Sequence, residues 1–490
     1  MIYYNIYVQI YKNERGRAKR LRPLYPGTDM KRMLRKFRFY FAMCSAKACA
    51  AGLKLLGRRA SYLPGLVAVT LCKDFIGYLQ KPETLICVTG TNGKTTTSNL
   101  LNTVFSHIGQ TVTNNSYGSN VQAGVANALL LNSTFSGKHK NKVAVLEVDE
   151  RSSPHIFPFM APDYLLCNNI MRDSMKRNAH TEFISFIISS ALPAGTKVIL
   201  NADDLICAGL APRCEDRTYF GVAAERPAGD PPAHVRDMVY CPKCGAPLKP
   251  EYIRFRHIGR YTCTACDLKS PEPDFCVTDI NRGTHTFTVT AEDGDHTLRL
   301  INDNITNIYN LCGAVAVLRR CGVSWDEIRG ALAEGELVQT RYEEVTAGKL
   351  HITRILAKGQ NPVAVSGVLS YTVTCPGDKK CLLLIIDDKE DNIHNSESTC
   401  WLYDVDYSPL RDPSVDCIIF AGPRCKDQVL RAAMSGIDLS KVLTTDTVKN
   451  SAMLVDTEKY QDIYLLFENY WLDDALAEEK LLIERGEQGK

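Results

Sequence analysis

A phosphate-binding loop is the first chemical feature of the sequence. The segment GTNGKTTT, residues 90–97, lies between an apolar run typical of a strand and an amphipathic helical pattern, which is the context such a loop requires. Its two glycines allow backbone amides to approach an anion, Lys94 can reach β- and γ-phosphates, and the Thr95 hydroxyl can hold Mg²⁺. The predicted nucleotide-binding residues of the loop are Gly90, Thr91, Asn92, Gly93, Lys94, Thr95 and Thr96.

The loop is two residues shorter than the common G-x-x-x-x-G-K-(S/T) form, because Val88 stands where that form has its first glycine. A bare G-x-x-G-K-T can occur by chance. The strand and helix patterns on either side favour the functional interpretation here.

Two Cys-x-x-Cys pairs form a second chemical feature. Cys241 and Cys244 are separated by eighteen residues from Cys263 and Cys266. Each pair offers two sulfurs on one tight turn, and two pairs complete the tetrahedron of a four-thiolate zinc site. Thiolates fill all four positions and leave none for a catalytic water, so we expect the zinc to be structural.

The elements that must position these residues follow an α/β pattern. Apolar runs that end in polar residues, such as TLICVTG, KVAVLEVDE, DYLLCNN and KVILNADD, alternate with helix-length segments. Strands of that kind are buried on both faces, which predicts a parallel sheet covered by helices. A helix is expected from about residue 30 to 59, and an antiparallel hairpin with an Asp-Gly turn in THTFTVTAEDGDHTLRL.

A second series of apolar runs begins at about Val338 and predicts a second α/β domain with its own sheet. We therefore divide the chain into an N-terminal extension at 1–29, a central domain at 30–337 with a ribbon inserted at 241–268, and a C-terminal domain at 338–490.

Composition and charge limit the class of protein. The chain has 490 residues, of which 45% are hydrophobic and 23% charged, as in ordinary globular proteins. The sequence shows neither a membrane-span pattern nor a secretory signal. Its nineteen cysteines are odd in number and lie mostly in apolar stretches, which favours reduced thiols and a cytoplasmic location.

Charge is unevenly distributed along the chain. Residues 1–60 contain fifteen Lys and Arg against Glu14 and Asp29, a net charge of +13, which leaves −10 for the rest of a chain that totals +3. One interpretation is a disordered extension followed by a solvated basic helix. The other is a surface helix that holds the protein near anionic lipid or an anionic substrate.

The short GTNGKTT loop resembles that of the Mur ligases and folylpolyglutamate synthases, which activate a carboxylate with ATP as an acyl phosphate that an amine then attacks. Only about 55 residues of the central domain precede the loop strand, too few for the uridine-nucleotide domain of ligases that act on UDP-linked precursors. The ribbon and several C-terminal motifs narrow the resemblance to the MurT family. Its pattern is similar to NIMRDSMKR (169–177), NITNIYN (304–310), TRYEEV (340–345), LAK with NP (356–362), EDNIHNSESTCWLYDVD (390–406) and GPR (422–424).

The resemblance implies a Mur ligase-type ATPase domain in which Thr95 and Glu147 bind Mg²⁺ and Lys94 stabilises the transferring phosphate. It places Asn307 near the adenine of ATP. It also places Asp391 in the C-terminal domain, where it would steer ammonia or brace the partner's catalytic site; the simpler alternative is a loop carboxylate that caps a turn. Lys94, Glu147 and Asp391 are thus the expected catalytic residues. Asp404 and Asp406 are second choices for a functional carboxylate, with a structural role the simpler interpretation.

The same resemblance implies amidation of the α-carboxylate of D-glutamate in the lipid II stem peptide. Ammonia would come from a GatD-like glutaminase subunit, since the sequence contains no G-x-C-x-G nucleophile elbow of its own. The expected cofactors are ATP, Mg²⁺ and structural Zn²⁺. The expected location is cytoplasmic and peripheral, at the inner face of the membrane that carries lipid II.

Three alternatives remain open at the level of sequence. The chain could be an amino-acid-adding ligase related to folylpolyglutamate synthase, or a subunit with only a structural role. A third is a nucleic-acid-binding ATPase, because EYIRFRHIGRY in the ribbon carries cations and aromatics. Against this last alternative, the body of the chain is acidic and helicase-type motifs are absent from the sequence, so we expect no nucleic-acid partner.

Overall fold

The computed structural model describes residues 29–115, 119–172, 180–226, 238–301, 304–334, 342–357, 361–386 and 399–488. Within these residues lie two large sheets and one small hairpin sheet. Each large sheet has apolar clusters on both of its faces. The fold class expected from the sequence, two α/β units with an inserted ribbon, is confirmed.

The first sheet has nine strands in the order β11-β10-β9-β6-β5-β4-β1-β3-β2. Strands β1 to β6 pair parallel with one another, and β9 pairs parallel with β6. At the edge of the sheet, β10 pairs antiparallel with both β9 and β11. The strands are β1 (Thr84–Thr89), β2 (Val112–Asn114), β3 (Val143–Glu147), β4 (Tyr164–Cys167), β5 (Lys197–Asn201), β6 (Arg217–Val222), β9 (Phe275–Asn281), β10 (Thr286–Ala291) and β11 (Gly294–Arg299).

Helices cover both faces of this sheet because its central strands are apolar throughout. The helices of this part are α1 (Asp29–Leu55), α2 (Leu63–Leu71), α3 (Lys94–His107), α4 (Gln122–Leu131), α5 (Ser153–Ile156), α6 (Thr181–Ala191), α7 (Leu205–Ala208), α8 (Ile305–Arg320) and α9 (Trp325–Glu334). One core cluster joins the inner face of α1 to β1, β3 and β4, and the opposite cluster contains α3 and α8.

Helix α1 ends four residues before the end expected from the sequence. Gly57 adopts φ +66°, and the Arg58 amide donates to the Leu53 carbonyl at 2.9 Å. This is the Schellman pattern, in which a left-handed residue stops the helix and satisfies its last carbonyls. The sequence-based expectation carried the helix past Gly57 to Arg59, but the glycine decides where the helix ends.

The ribbon is a hairpin of β7 (Leu248–Phe255) and β8 (Ile258–Cys263) inserted between β6 and β9. The predicted hairpin of the edge is present as β10 and β11, with Asp293 in the turn and Gly294 at φ +115°.

The second sheet has six strands in the order β12-β13-β17-β14-β15-β16, all parallel except the β12–β13 pair. Its elements are β12 (Tyr342–Ala347), β13 (Leu350–Leu356), α10 (Pro362–Thr374), β14 (Lys380–Ile385), α11 (Cys400–Asp404), β15 (Val415–Ala421), α12 (Cys425–Met434), β16 (Val442–Thr445), β17 (Asp462–Phe467) and α13 (Leu472–Gln488). Among the helices of the described residues, none has the length and apolarity needed to cross a bilayer.

Candidate active site

The phosphate loop connects the end of β1 to the start of α3, as the spacing of its residues predicts. Gly90 and Gly93 have φ values of +118° and +87°, a backbone region that other residues rarely adopt. A β-carbon on Gly93 would lie 2.0 Å from Oδ1 of Asn310, and one on Gly90 would lie 2.8 Å from the Asn169 carbonyl. Glycine is therefore required at both positions.

Helix α3 begins in a form that suits an anion. Its N-cap residue is Gly93, which has no side-chain oxygen to accept from the amides of the first turn. Those amides and the positive end of the helix dipole favour a phosphate group at this point. The observed geometry thus gives Lys94, Thr95 and Thr96 the position that a nucleotide-binding loop requires.

Lys94 is held by a buried carboxylate. Its Nζ lies 3.0 Å from Oε1 of Glu150 and donates to the Gly90 carbonyl at 2.5 Å. The Lys94 and Glu150 side chains are 12% and 3% exposed. Sequence reasoning did not single out Glu150, although it belongs to the LEVDE segment that suggested Glu147. The signal available was a third acidic residue in that segment, just past the end of the same strand.

Thr95 and Glu147 lie together, as the predicted Mg²⁺ site needs. The Thr95 hydroxyl donates to Oε2 of Glu147 at 3.1 Å. Glu147 ends β3, is buried, and is fixed by Asn115, whose side chain bonds both its backbone amide at 2.8 Å and its carbonyl at 3.0 Å. A hydroxyl and a carboxylate at this distance are the oxygen donors that Mg²⁺ prefers beside phosphates.

Asparagines outside the phosphate loop form hydrogen bonds to it, and most of these asparagines were not predicted from the sequence. Asn169 accepts from the Thr91 amide with its carbonyl at 2.9 Å and from the Asn92 amide with Oδ1 at 3.0 Å. Asn168 donates to the Thr97 hydroxyl at 2.9 Å. Both follow β4, where polar residues at the carboxyl end of a parallel strand were a usable signal.

The predicted adenine-side residue, Asn307, lies in the first turn of α8. Asn310, one turn further, donates to Oδ1 of Asn307 at 3.4 Å and has its own Oδ1 against Gly93. Helix α8 therefore brings Asn307 close to the phosphate loop. Its exact contact with a nucleotide stays a prediction.

The two aspartates of NADD, by contrast, are fully engaged within the protein. Asp204 caps α7 through Ile206 and Cys207, accepts from the Ile170 amide at 2.7 Å, and lies 3.3 Å from His257. Asp203 accepts from the Tyr309 hydroxyl at 2.7 Å and from the Val222 amide at 3.0 Å.

Burial raises the pKa of the Asp203 carboxyl, while these hydrogen bonds and the nearby Arg260 act in the opposite direction. The contacts show what the two carboxylates do. They connect the end of β5 to α8 and to the ribbon, and their oxygens face protein groups.

The four predicted metal ligands form one compact cluster. Each of the sulfurs of Cys241, Cys244, Cys263 and Cys266 lies within 4.8 Å of the others. The Cys241–Cys266 and Cys244–Cys263 sulfur pairs are 3.6 and 3.4 Å apart. Zinc–sulfur bonds of about 2.3 Å in a tetrahedron place sulfurs about 3.8 Å apart, so the cluster has the size that a zinc ion needs.

The ribbon hairpin packs its cations and aromatics against the protein. Tyr252, His257, Arg260 and Tyr261 are buried. Arg254 donates to the carbonyls of Val222, Ala224 and Glu225 at 3.0 Å. A nucleic-acid surface would present such side chains to solvent, so the hairpin gives the nucleic-acid interpretation no support.

Three contacts join the two α/β units near the loop. Asn361, which caps α10, donates to Oδ1 of Asn92 at 2.8 Å. Arg172 lies 3.5 Å from the Asp404 carboxylate, and Arg256 of the ribbon donates to the Asp404 carbonyl at 2.9 Å. The second-choice residue Asp404 is thus a contact between units.

Asp406 and Asp391 are the other carboxylates of the C-terminal domain that the sequence suggested as functional. Asp406 accepts from the Ser408 amide at 2.9 Å and so fixes a turn, the simpler role considered from the sequence. Asp391 lies outside the described residues, and its role remains a prediction.

Comparison with known proteins identifies the family. Residues 88–225 match the model of the Mur ligase middle domain, and residues 358–470 match the model of the MurT ligase C-terminal domain. The chain belongs to the MurT-type Mur ligases. It is 26% identical to the lipid II isoglutaminyl synthase (glutamine-hydrolyzing) subunit MurT of Staphylococcus aureus strain COL, over 88% of this chain and 95% of that protein.

A second MurT relative comes from Streptococcus pneumoniae strain ATCC BAA-255 / R6. It is 29% identical over 83% of this chain and 90% of its own length. Both alignments therefore extend across the phosphate loop and the C-terminal domain.

Solved structures share the fold at low sequence identity. A pseudomurein peptide ligase type C from Methanothermus fervidus superposes with a TM-score of 0.61 at 19% identity, over 84% of this chain and 81% of that one. MurF ligase from Thermotoga maritima in complex with ADP gives a TM-score of 0.57 at 15% identity, over 87% and 84%. These likenesses show the Mur ligase fold.

Proposed function

We propose that the protein is the ligase subunit of a lipid II isoglutaminyl synthase. It would convert the α-carboxylate of D-glutamate in the lipid II stem peptide to an amide, by ATP-dependent formation of an acyl phosphate and attack of ammonia. The observation that carries this proposal is the alignment with MurT proteins over more than four fifths of the chain. The joined Lys94–Glu150 and Thr95–Glu147 pairs support it.

The residues of the loop would divide the phosphate-transfer chemistry among them. The first-turn amides of α3 and Lys94 neutralise charge on the transferring phosphate, which is the main catalytic requirement of such reactions. Thr95 and Glu147 would hold Mg²⁺, which would supply positive charge to offset that of the phosphates. Asn307 would contact the adenine side of ATP, and Asp391 would steer ammonia toward the acyl phosphate.

The metal of the ribbon would be zinc with a structural role. The sulfur cluster has the size for a four-thiolate site, and four protein ligands close the coordination sphere. Cys241, Cys244, Cys263 and Cys266 would hold the ion and thereby fix the base of the hairpin whose far end contacts Asp404.

Ammonia would come from a second polypeptide. The relatives are named as subunits of a glutamine-hydrolyzing synthase, and the sequence of this chain lacks a G-x-C-x-G elbow. A GatD-like glutaminase is the partner we propose. The complex would work in the cytoplasm at the inner face of the membrane, where the lipid II acceptor is embedded.

The proposed domains remain 30–337 and 338–490, after an extension at 1–29. The boundary falls within residues 335–341, which lie between the described α9 and β12. The contact of Asn361 with Asn92 would let the C-terminal domain register the state of the phosphate loop.

Substitution of Lys94 tests the proposed reaction directly. The chain is purified together with a glutaminase subunit, and glutamine- and ATP-dependent amidation of lipid II is followed by mass spectrometry. Lys94→Ala removes the cation that faces the transferring phosphate, and we expect the rate to fall by about 100-fold or more. Lys142→Ala, at a lysine side chain that is 70% exposed, is the matched control and should leave the rate unchanged.

Two results would contradict the proposal. Full amidation by Lys94→Ala would show that the loop does not perform the transfer. Incorporation of an amino acid in place of ammonia would instead favour the alternative of an amino-acid-adding ligase.

A further inference from the structure

Helix α1 has two opposite apolar faces. The inner face packs on the core of the nine-stranded sheet and contains Phe39, Ala42, Met43, Ala46 and Ala50. These residues recur every three to four positions, as a single buried stripe of an α-helix requires. A helix with one buried stripe would be expected to carry polar residues on its other side, but α1 does not.

The outer face is apolar and exposed. Met33, Phe37, Phe41 and Leu55 are 71%, 65%, 55% and 89% exposed, and Tyr40 is 49% exposed. At 3.6 residues per turn these positions fall on one side of α1, roughly opposite the buried stripe. The rings of Phe37 and Phe41 stack with their centroids 6.5 Å apart, so the aromatic surface is continuous.

Six consecutive side chains near the start of this helix are exposed. Every residue from Met33 to Arg38 is exposed, and Phe39 is the first to enter the core. We name the outer face of Met33, Phe37, Tyr40, Phe41 and Leu55 the outer stripe.

Cations border the outer stripe on both sides. By helical position, Lys36 and Lys54 lie along one border and Arg38 lies along the other; all three are exposed. Lys47 is on the first border, where it donates to the Ser133 carbonyl at 2.6 Å and lies over the Phe135 ring, itself 61% exposed. An apolar stripe bordered by cations is the pattern of helices that lie in a membrane interface.

The distribution of charge along the chain indicates which kind of partner would bind this surface. Residues 1–60 carry +13 while the rest of the chain carries −10, so the segment with the outer stripe is the one attracted to an anionic surface. Long cationic side chains beside a buried apolar stripe can extend to lipid head groups. We propose that the outer stripe of α1 docks on the surface of an anionic lipid bilayer, with its aromatic and aliphatic side chains among the acyl chains.

This docking deepens the proposed function by assigning the surface that would hold the enzyme at its lipid-linked acceptor. The assignment itself stands on α1 alone. It can therefore be tested on vesicles that contain no lipid II, so that its failure is distinct from failure of the amidation reaction.

Flotation with vesicles is the experiment. The full chain is mixed with vesicles of phosphatidylglycerol and phosphatidylcholine, or of phosphatidylcholine alone, and the fraction that floats is measured at low and at physiological salt. We expect the wild type to float with the anionic vesicles, and less so at higher salt because ions screen the attraction. The double variant Phe37→Glu/Phe41→Glu should reduce the bound fraction by about tenfold or more, since each carboxylate would enter the interface.

Matched controls separate the outer stripe from general effects of added charge. Leu430→Glu/Met434→Glu places the same charges on exposed apolar residues of α12, which are 52% and 64% exposed, and should leave flotation unchanged. Lys36→Glu/Lys54→Glu keeps the apolar stripe but reverses one border, and should abolish the preference for anionic over neutral vesicles. All substituted side chains are exposed, so the fold should tolerate them, as circular dichroism would show.

Three outcomes would overturn the proposal. The first is a wild-type chain that stays unbound on anionic vesicles. The second is a control on α12 that loses binding as much as the α1 variant. The third is an α1 variant that keeps flotation but loses its glutaminase partner, which would identify the outer stripe as a protein interface.

Discussion

Lys94 shows how a single residue is prepared for its ligand. In the structure its ammonium group is compensated by Glu150 at 3.0 Å, and both side chains are nearly inaccessible to water. Breaking a buried pair by removing one partner leaves an uncompensated charge, which costs more than the pair itself contributes. A nucleotide phosphate at the loop would supply a second negative group to the same lysine.

Replacement of Glu150 by Gln should therefore have an effect that depends on nucleotide. Without ATP, we expect Glu150→Gln to lower the free energy of unfolding by about 3 kcal/mol, because the buried ammonium of Lys94 loses the carboxylate 3.0 Å from it. With ATP and Mg²⁺ the phosphates compensate the lysine, so the nucleotide should raise the melting temperature more in the variant than in the wild type. Differential scanning fluorimetry with and without ATP measures both values.

The matched control for this prediction is Glu479→Gln in the second sheet. Glu479 is buried and lies 3.0 Å from Arg354, so its loss should destabilise the chain with or without nucleotide. An equal ATP-dependent shift in the wild type and Glu150→Gln would refute the role given to Glu150.

At the scale of elements, the ribbon connects parts that are distant in sequence. One end of its hairpin holds four cysteines, and the other places Arg256 against Asp404 of α11. Between these ends, the Gly259 amide donates to the Asp203 carbonyl at 2.7 Å. Asp203 in turn bonds Tyr309 of α8, the helix whose first turn adjoins the phosphate loop. The hairpin is therefore part of the support of the site.

Loss of the metal should release this support. Cys263→Ser removes one of four thiolates, and we expect the zinc content to fall from about one ion per chain to near background. The hairpin should then become accessible to protease at Tyr252–Tyr261 while the C-terminal sheet stays folded. Cys400→Ser, at an exposed cysteine outside the cluster, is the control for the loss of a thiol.

Two measurements test this prediction. Mass spectrometry gives the zinc content, and limited proteolysis shows whether the hairpin is accessible. A Cys263→Ser chain with its full zinc content, or with an intact and protected hairpin, would contradict the structural role of the cluster.

At the scale of the whole molecule, the two α/β units meet where the phosphates would bind. Asn361 has two separate tasks there, because its Oδ1 accepts from the Ala364 amide at 3.0 Å and its Nδ2 donates to Asn92 at 2.8 Å. The first bond caps α10, and the second connects the C-terminal unit to the loop. A substitution can remove one bond and keep the other.

Asn361→Ser is that substitution. Serine is a good N-cap residue but is too short to reach Asn92, so α10 should keep its stability while the connection is lost. Because small errors in the placement of reacting groups have large effects on rate, we expect kcat for amidation to fall about tenfold with an unchanged melting temperature. A normal kcat would show that the contact does not position the domains, and a lowered melting temperature would show that the cap had failed.

The features that were predicted correctly from the sequence are formed by residues that lie close together in the chain. The apolar strand, the two glycines and the lysine of the loop lie within fourteen consecutive residues, from Thr84 to Thr97, and each has one simple physical role. The zinc cluster is also local within each Cys-x-x-Cys pair. The continuous apolar runs predicted the parallel strands of both sheets.

The residues that sequence reasoning missed act across long separations. Glu150 reaches Lys94 over 56 residues and Asn361 reaches Asn92 over 269, and no periodicity records such a pairing. The same holds for EYIRFRHIGRY, whose composition suggested a nucleic-acid surface. Only the packing of Tyr252 and Arg254 on the end of β6 shows that these side chains face the protein.

The packing of α1 has a consequence for how the enzyme would search for its acceptor. The inner face of α1 shares one core with β1, the strand that leads into the phosphate loop. A bilayer bound to the outer stripe would thus be coupled rigidly to the nucleotide site, with no flexible tether between them. The enzyme would diffuse in two dimensions at a fixed tilt and height, and only acceptors whose head groups reach that height would be processed.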